Sequence, residues 1–254
     1  MNQSRVEKII NAVVFLMLVG SVIYIVVRIA LTRGGVPEDS GRSESEYILM
    51  LLQCLLGIFI MFLPGLIEKK LKLDIPNLMH ILFVLFLFCA IYLGEVRSFY
   101  YTFQHWDVLL HAFSGGMLGA IGFSFITLLN RAERVPVNLS PVFVALFAFC
   151  FAVMLGVVWE IYEFTFDGLL GLNMQKFALE DGTLLVGHTA LENTMKDLIV
   201  DTIGALVISV IGYISLKYRK GWVEKMLIHK IKSKRSSGIG LDASAKNDSN
   251  TKSV

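Results

Sequence analysis

The sequence predicts an all-α membrane protein, a bundle of about six transmembrane helices with both termini in the cytoplasm. Hydrophobic residues make up 55% of the 254 residues and charged residues only 17%, whereas soluble domains average about 45–50% apolar and about 25% charged residues. The apolar residues also form runs long enough to cross a bilayer, which takes about 20 residues per helix. Because backbone groups in lipid must bond within their own segment, each run is expected to be a helix.

The apolar runs define six spans along the chain. In the fourth span, Gly115 and Gly119 are four residues apart, a spacing that lets two helices pack closely in a membrane. In the second span, Pro64 lies near the end and favours a kink or a stop there. The predicted spans cover residues 9–31, 47–67, 78–94, 108–130, 141–167 and 198–216.

The positive charges lie in alternate loops. Lys and Arg cluster before span one, between spans two and three, between spans four and five, and after span six, while the other loops are poorer in them. Because the cytoplasmic loops of membrane proteins carry an excess of Lys and Arg, both termini are predicted to be cytoplasmic.

The chain is expected to divide into three regions. Residues 1–220 form the helix bundle, with a polar-site core at about 75–215. Residues 221–235 combine apolar and basic residues at helical spacing, which predicts a basic amphipathic helix on the anionic inner leaflet and fits a snorkelling anchor equally well. Residues 236–254 have too few apolar side chains to fold and are predicted to be disordered. No nucleic-acid-binding motif is present in the sequence. Because the basic segment lies next to the membrane, membrane lipids are the expected partners.

Ionisable side chains occur at the ends of four spans. Such groups cost about 2.5–3.5 kcal/mol at a membrane helix centre and usually mark function. Their spacing of three, four or seven residues places each set on one helix face, and the predicted orientation brings all four sets to the outer face. The sequence therefore predicts a polar pocket that opens outward. Its residues are Glu95 ending span three, Asp107 and His111 starting span four, Glu160, Glu163 and Asp167 ending span five, and Asp197 and Asp201 starting span six.

The predicted pocket carries far more carboxylates than basic groups. Like charges crowded in a low dielectric cannot all stay ionised, so either several carboxylates hold protons or a bound cation compensates them. Oxygen ligands with one imidazole suit Mg²⁺, Mn²⁺, Zn²⁺ or iron. The alternative is a hydrogen-bonded network that locks the helices together. The candidate metal ligands are Asp107, His111, Glu160, Glu163 and Asp201, and the candidate catalytic carboxylates are Asp167, Asp197 and Glu95.

The longest outer loop joins spans five and six. Apolar residues alternate around its "EDG" triplet, which predicts a short hairpin or re-entrant turn over the pocket. This segment is either a lid or a passive cap. His188 in the same loop is a second candidate ligand.

Three separated motifs resemble a known family. The stretches "LGEVRSFYYTFQHWDVLLHAFSGGMLGAIGF", "VVWEIYEFTFDG" and "TMKDLIVDTIGAL" closely resemble the YjdF-type bacterial inner-membrane proteins and are more remotely similar to the VanZ family, which is associated with glycopeptide resistance. The resemblance implies a site facing the outside of a bacterial plasma membrane and a link to envelope lipids, without supplying a reaction. The positions that match the VanZ pattern are Asp107, His111, Glu160, Glu163, Asp197, Asp201, Thr202 and Gly204.

Three functions are compatible with these sequence features. The first is a metal-dependent intramembrane hydrolase or transferase that acts on a lipid or lipid-linked envelope substrate, with a carboxylate as general base. The second is a proton- or cation-coupled transporter, which ranks lower because the inner halves of the spans are almost purely apolar. The third is a non-catalytic lipid-binding or envelope-resistance protein.

Overall fold

A computed structural model describes residues 5–33, 44–130, 139–179, 182–222 and 226–230. Six of its helical segments are long and apolar enough to cross a membrane, which confirms the all-α fold class and the six spans. In chain order the elements are α1 (Arg5–Arg33), α2 (Glu44–Met61), α3 (Leu63–Leu71), β1 (Leu73–Asp74), α4 (Asn77–Leu87), a π-helical segment (Phe88–Val96), α5 (Phe99–Thr102), α6 (Trp106–Asn130), α7 (Pro141–Leu170), α8 (His188–Lys217) and β2 (His229–Lys230).

Local sequence signals set several of these boundaries. Pro64 lies in the first turn of α3, directly after the break that ends α2, as its position in the second run predicts. At the start of α7, the Ser140 side chain accepts a hydrogen bond from the Phe143 backbone N–H at 3.3 Å, and Pro141 occupies the first helical position, where a missing N–H is tolerated. The helix ends at Leu170, and the next residue, Gly171, has a φ of 64°, which glycine adopts readily.

The sixth span starts earlier than the apolar run indicates. Its helix begins at His188, ten residues before the predicted start at 198. The prediction starts too late because the first turns of the helix are polar, and a search for apolar runs does not detect them. Ala, Leu, Glu, Met and Lys favour a helix irrespective of polarity. Asp197 and Asp201 therefore lie well inside α8 and not at its beginning.

The helices form two groups. The first group, α1, α2, α4 and the π-helical segment, shares a core around Leu18, Ile25, Tyr47, Cys54 and Val84. In the second group, α6, α7 and α8 pack against one another. The groups meet where α4, α5 and the π-helical segment contact α6. Since consecutive spans alternate in direction, α6 and α8 run parallel and α7 runs antiparallel to both.

The chain beyond α8 returns to the bundle at the end where α1 begins. Strand β2 pairs antiparallel with β1, with Leu73 opposite Lys230 and Asp74 opposite His229. Ser124 Oγ donates to the Met226 carbonyl oxygen at 3.1 Å, and Leu227 is buried against Phe123 and Val144. Residues 229–230 are thus extended, whereas the pattern predicts a helix over 221–235. Residues 223–225 and 231–235 of that segment, and the predicted disordered tail 236–254, lie outside the described residues.

A second buried polar cluster lies at this same end of the bundle. Glu7, Glu68 and His80 are all buried. His80 Nε2 lies 3.5 Å from Glu68 Oε1 and His80 Nδ1 lies 4.0 Å from Glu7 Oε1, while Glu68 Oε1 also accepts from the Ile75 backbone N–H at 2.8 Å. The sequence pattern does not indicate this cluster, because its members come from three different helices.

Candidate metal centre

His111 lies at the middle of the polar cluster at the other end of the bundle. Its Nδ1 lies 3.2 Å from Asp201 Oδ2. Its Nε2 lies 3.8 Å from Asp107 Oδ1 and 3.9 Å from Asp197 Oδ2. Asp197 and Asp201 are 1% and 3% exposed. One imidazole therefore contacts carboxylates of α6 and α8 with both of its ring nitrogens.

Glycines bring the three helices close enough for these contacts. A Cβ on Gly204 would lie 2.6 Å from the Ala112 carbonyl oxygen, and a Cβ on Gly115 would lie 2.9 Å from Asp201 Cα. On α7, a Cβ on Gly156 would lie 2.9 Å from Asp201 Oδ2. The close packing that the Gly115/Gly119 spacing predicts is confirmed, and its partner is α8.

Asp201 holds the imidazole in place. Ser114 Oγ donates to Asp201 Oδ1 at 3.1 Å, so one carboxylate oxygen contacts the serine and the other contacts His111 Nδ1. A carboxylate on one ring nitrogen fixes the tautomer and orients the other nitrogen toward a metal ion. Asp201 is predicted from the sequence as a ligand; in the structure it contacts Nδ1, and Asp197 lies beside Nε2.

The Oδ2 atom of Asp107 contacts residues of the loop between α7 and α8 and of the first turns of α8. Lys176 Nζ forms an ion pair with Asp107 Oδ2, and Asn193 Nδ2 donates to the same oxygen at 3.3 Å. The Lys176 ammonium also lies 5.7 Å from the centre of the Tyr100 ring. No motif in the sequence marks Lys176, Asn193 or Tyr100 as part of the site. In the sequence, Lys176 stands out only because it is the one basic residue of the loop between α7 and α8.

Asp167 anchors that loop. Its two carboxylate oxygens accept from the Met174 and Gln175 backbone N–H groups at 2.7 and 2.9 Å. Further along, Ala178 forms an antiparallel bridge with Leu184, a pairing that the predicted hairpin or re-entrant turn would contain; residues 180–181 of its EDG triplet lie outside the described residues. Because both oxygens of Asp167 are engaged, this carboxylate positions the loop that carries Lys176.

Glu160 and Glu163 lie on α7 and are buried. Glu163 Oε1 accepts from Trp159 Nε1 at 2.9 Å. Both glutamates interact electrostatically with His111, and Glu163 also interacts with Asp107 and Asp197. Glu160 shares hydrogen bonds with the Gln175 and Thr194 side chains, and neither glutamate is among the residues whose ligand atoms converge.

Glu95 lies on the π-helical segment, away from this centre. Its Oε1 accepts from Gln53 Nε2 at 3.1 Å, which links it to α2. Tyr100 lies outside the spans. Its pKa is raised well above the usual value, first because its phenol is withdrawn from water and then because the negative charges of Glu95, Asp107, Glu163 and Asp197 act on it. The phenol therefore stays protonated.

His188 is exposed at the start of α8, outside the cluster.

Three side chains meet the geometric requirement for a metal site. Ligand atoms of Asp107, His111 and Asp197 all lie within 4.8 Å of one another, close enough to converge on one ion with modest adjustment. One imidazole nitrogen and two carboxylate oxygens suit Zn²⁺, Mn²⁺ or Fe²⁺. Asp201 on the far ring nitrogen supplies the outer-shell partner that metal-binding histidines usually have.

Comparison with known proteins places the chain in a family. A protein of Thermotoga maritima, described as an uncharacterized protein, is 29% identical over 164 residues, which cover 62% of this chain and 76% of that protein. No solved structure matches the chain. Residues 12–218 match a family described as predicted membrane protein (DUF2238), and this stretch includes every side chain of the candidate metal centre. The chain therefore belongs to the DUF2238 family of membrane proteins.

Proposed function

We propose that this protein is a divalent-metal-dependent hydrolase or transferase that acts on an envelope lipid at the outer face of a bacterial plasma membrane. The observation that carries the proposal is the convergence of Asp107, His111 and Asp197, with Asp201 on the far nitrogen of His111. The outward orientation rests on the distribution of positive charge, which favours cytoplasmic termini. The resemblance to the YjdF-type and VanZ proteins supports the link to the bacterial envelope.

The charge at the site supports a bound cation. Asp107, Asp197 and Asp201 surround a single imidazole, and Lys176 reaches only the outer oxygen of Asp107. A divalent ion between Asp107, His111 and Asp197 would compensate the carboxylates and would lower the pKa of a bound water to make a nucleophile. Glu163 interacts electrostatically with Asp107, His111 and Asp197 and accepts from Trp159 with one oxygen. We assign it as general base, because both oxygens of Asp167 accept backbone N–H groups and Glu95 accepts from Gln53.

The position of Trp159 supports a lipid substrate. Its side chain is 43% exposed on the apolar outer surface of α7, yet its Nε1 donates to Glu163 inside the cluster. Neighbouring α7 side chains, Ile161 and Phe164, are 58% and 69% exposed, as expected for a face in contact with lipid tails. The Trp159 side chain thus reaches from the exposed apolar surface of α7 to a carboxylate of the cluster, as expected for a site that a lipid approaches from this face.

Purified protein in vesicles of total bacterial lipid tests the proposal. We expect stoichiometric divalent metal by elemental analysis and a lipid species that is converted over time, detected by mass spectrometry. Conversion should stop after removal of the metal with a chelator and in Asp197→Asn, because that variant loses a charged ligand without changing side-chain size. The control Glu192→Gln, at an exposed carboxylate paired with Lys196, should behave as wild type. Absence of bound metal after dialysis against Zn²⁺, Mn²⁺ or Fe²⁺ would refute the proposal.

Asp201→Asn is expected to weaken divalent-cation affinity by about 10–100-fold without abolishing binding, the range found for outer-shell partners of metal-binding histidines. The asparagine keeps the size of the side chain but lacks the negative charge that strengthens the hydrogen bond to Nδ1–H of His111. Isothermal titration with Zn²⁺ measures the change. A loss of binding as complete as that caused by removing Asp197 would instead make Asp201 a direct ligand.

A proton- or cation-coupled transporter is the second candidate, and one observation favours it. The buried Glu7, Glu68 and His80 at the opposite end of the bundle give the protein a titratable cluster on each side of its apolar middle. Transport predicts that ion or pH gradients across vesicles dissipate in a way that depends on both clusters. Vesicles that stay ion-tight with wild-type protein while lipid is converted would exclude it.

A further inference from the structure

A single lysine lies at the edge of the candidate metal centre and reaches the water outside it. Lys176 Nζ forms an ion pair with Asp107 Oδ2, and its charge also acts on Asp197. The side chain of Lys176 is nevertheless 36% exposed. Because an ammonium group has three N–H donors, the pair with one oxygen of Asp107 leaves donors for a bound molecule.

The loop holds Lys176 in a backbone conformation that few side chains adopt. Its φ is 50°, in the left-handed region, which is unfavourable for a residue with a Cβ and persists only where surrounding contacts enforce it. The Lys176 backbone N–H donates to the Asn173 carbonyl oxygen at 3.2 Å. The Asn173 side chain in turn donates to the Ala178 carbonyl oxygen at 2.7 Å and accepts from the Ala178 N–H at 3.0 Å. These contacts fix the point at which the lysine side chain leaves the loop.

The residue before Lys176 ties the loop to two helices of the cluster. The Gln175 backbone N–H donates to Asp167 Oδ2 of α7 at 2.9 Å. The Gln175 side chain donates to Thr194 Oγ1 of α8 at 3.0 Å and shares a hydrogen bond with Glu160 of α7. Lys176 is therefore held in a defined place relative to both helices, unlike a lysine on a freely moving surface loop.

An aromatic ring also contacts the ammonium group. Lys176 Nζ lies 5.7 Å from the centre of the Tyr100 ring, within the range where a cation is attracted to an aromatic face. The ring packs on Gly94 of the π-helical segment, where a Cβ would lie 2.8 Å from Tyr100 Cζ. Because Gly94 leaves room for the ring, the ammonium is held between Tyr100 and Asp107.

The charges around this ammonium favour a phosphate as its ligand. The carboxylates of Asp107, Glu163 and Asp197 would repel an anionic molecule unless positive groups face it. The divalent ion proposed beside Asp107 Oδ1 and the ammonium at Oδ2 would supply two such groups on one carboxylate. A phosphate has several oxygens and can contact both, since metal ions polarise phosphoryl oxygens and lysine binds phosphate as a point charge.

We propose that Lys176 binds the phosphate of a lipid head group, so that the substrate of the candidate metal centre is a lipid phosphate. This inference deepens the proposed function and rests on it, because it names the substrate class of the same site. The polar head groups of a bilayer lie just outside its hydrocarbon core. The loop that carries Lys176 follows the end of the membrane-spanning helix α7, which places the ammonium at that level.

Binding of a short-chain lipid phosphate to the full-length, Mn²⁺-loaded protein tests this inference. In isothermal titration in dodecyl maltoside, the wild type should bind dioctanoyl phosphatidate more tightly than dioctanoylglycerol, which has the same chains and no phosphate. Lys176→Gln should weaken phosphatidate binding by about 10–100-fold, the loss expected for one charge-assisted hydrogen bond, without reducing the amount of bound Mn²⁺. Lys176→Arg, which keeps the charge, should bind more tightly than Lys176→Gln.

Lys196→Gln is the matched control for the loss of charge. Lys196 lies on α8, is 58% exposed and pairs with Glu192, so its removal should leave phosphatidate affinity unchanged. Inorganic phosphate should bind more weakly than phosphatidate because it lacks the apolar chains, and decanoate should bind more weakly because it lacks the phosphate. Thermal unfolding of each variant in the same detergent shows that the fold is retained.

The outcomes separate this inference from the proposed function. Equal affinity of the wild type for phosphatidate and dioctanoylglycerol, or unchanged phosphatidate affinity in folded Lys176→Gln, overturns the phosphate site and leaves the metal centre intact. An equal loss in Lys196→Gln also overturns it, because any positive charge at this end would then suffice. Inorganic phosphate or decanoate bound as tightly as phosphatidate overturns the lipid phosphate as the ligand. Phosphatidate binding that depends on Lys176 in a protein that binds no metal supports the phosphate site and overturns the proposed function.

Discussion

His111→Ala is expected to weaken divalent-cation binding by more than about 100-fold, because even the outer-shell partners of such ligands account for about 10–100-fold each. The substitution removes the one imidazole that contacts Asp107, Asp197 and Asp201. It leaves these carboxylates facing one another without the group between them. Isothermal titration of purified protein with Zn²⁺, supported by elemental analysis, measures the loss.

His105→Ala is the matched control for this experiment. His105 precedes α6 at the same end of the bundle and is exposed, so its removal should leave cation affinity unchanged. An affinity that stays at the wild-type level in His111→Ala, while the protein remains folded, would contradict the metal centre. A fall of equal size in both variants would show that any histidine near the surface binds the probe.

Gly204→Val is expected to have the largest effect on stability. A Cβ at this position would lie 2.6 Å from the Ala112 carbonyl oxygen and 3.2 Å from the Gly116 backbone nitrogen. Both neighbours are backbone atoms of α6, so they cannot move aside as a side chain would. Overpacking of this kind costs about 1–3 kcal/mol and sometimes more, and the added methyl groups of valine place this variant at the upper end. Thermal unfolding in detergent measures the decrease.

The same substitution should also disturb the metal centre. Moving α8 away from α6 separates His111 from Asp201, which lie 3.2 Å apart between Nδ1 and Oδ2. We therefore expect cation affinity to fall together with stability. Gly20→Ala is the control, because nothing lies within 4 Å of a Cβ at that position of α1. Wild-type stability in Gly204→Val would show that the two helices do not pack through this glycine.

The six spans follow from the sequence because hydrophobic length is a property of each segment alone. Polar side chains spaced three, four or seven residues apart lie on one face of any helix, so the stripes on α6, α7 and α8 can be identified before the helices are placed. The glycine pattern of α6 indicates close packing for the same reason. The small-residue pattern does not reveal that α8 is the partner.

The beginning of α8 and the π-helical segment are harder to predict from sequence. The first turns of α8 are polar and resemble a loop to any hydropathy criterion, yet they are helical from His188. The segment from Phe88 to Val96 has the composition of an ordinary apolar helix. A π-helical hydrogen-bond pattern is stabilised by surrounding packing, and local propensity does not encode it.

The sequence by itself determines which residues can share a face and which end of each span is polar. Only the tertiary structure decides that His111 Nδ1 meets Asp201 while Nε2 faces Asp107 and Asp197, because this depends on the register between α6 and α8. It also decides that Lys176 of the loop between α7 and α8 reaches Asp107 at the start of α6. Such contacts join residues far apart in the chain, and only the packing of the helices fixes their distances.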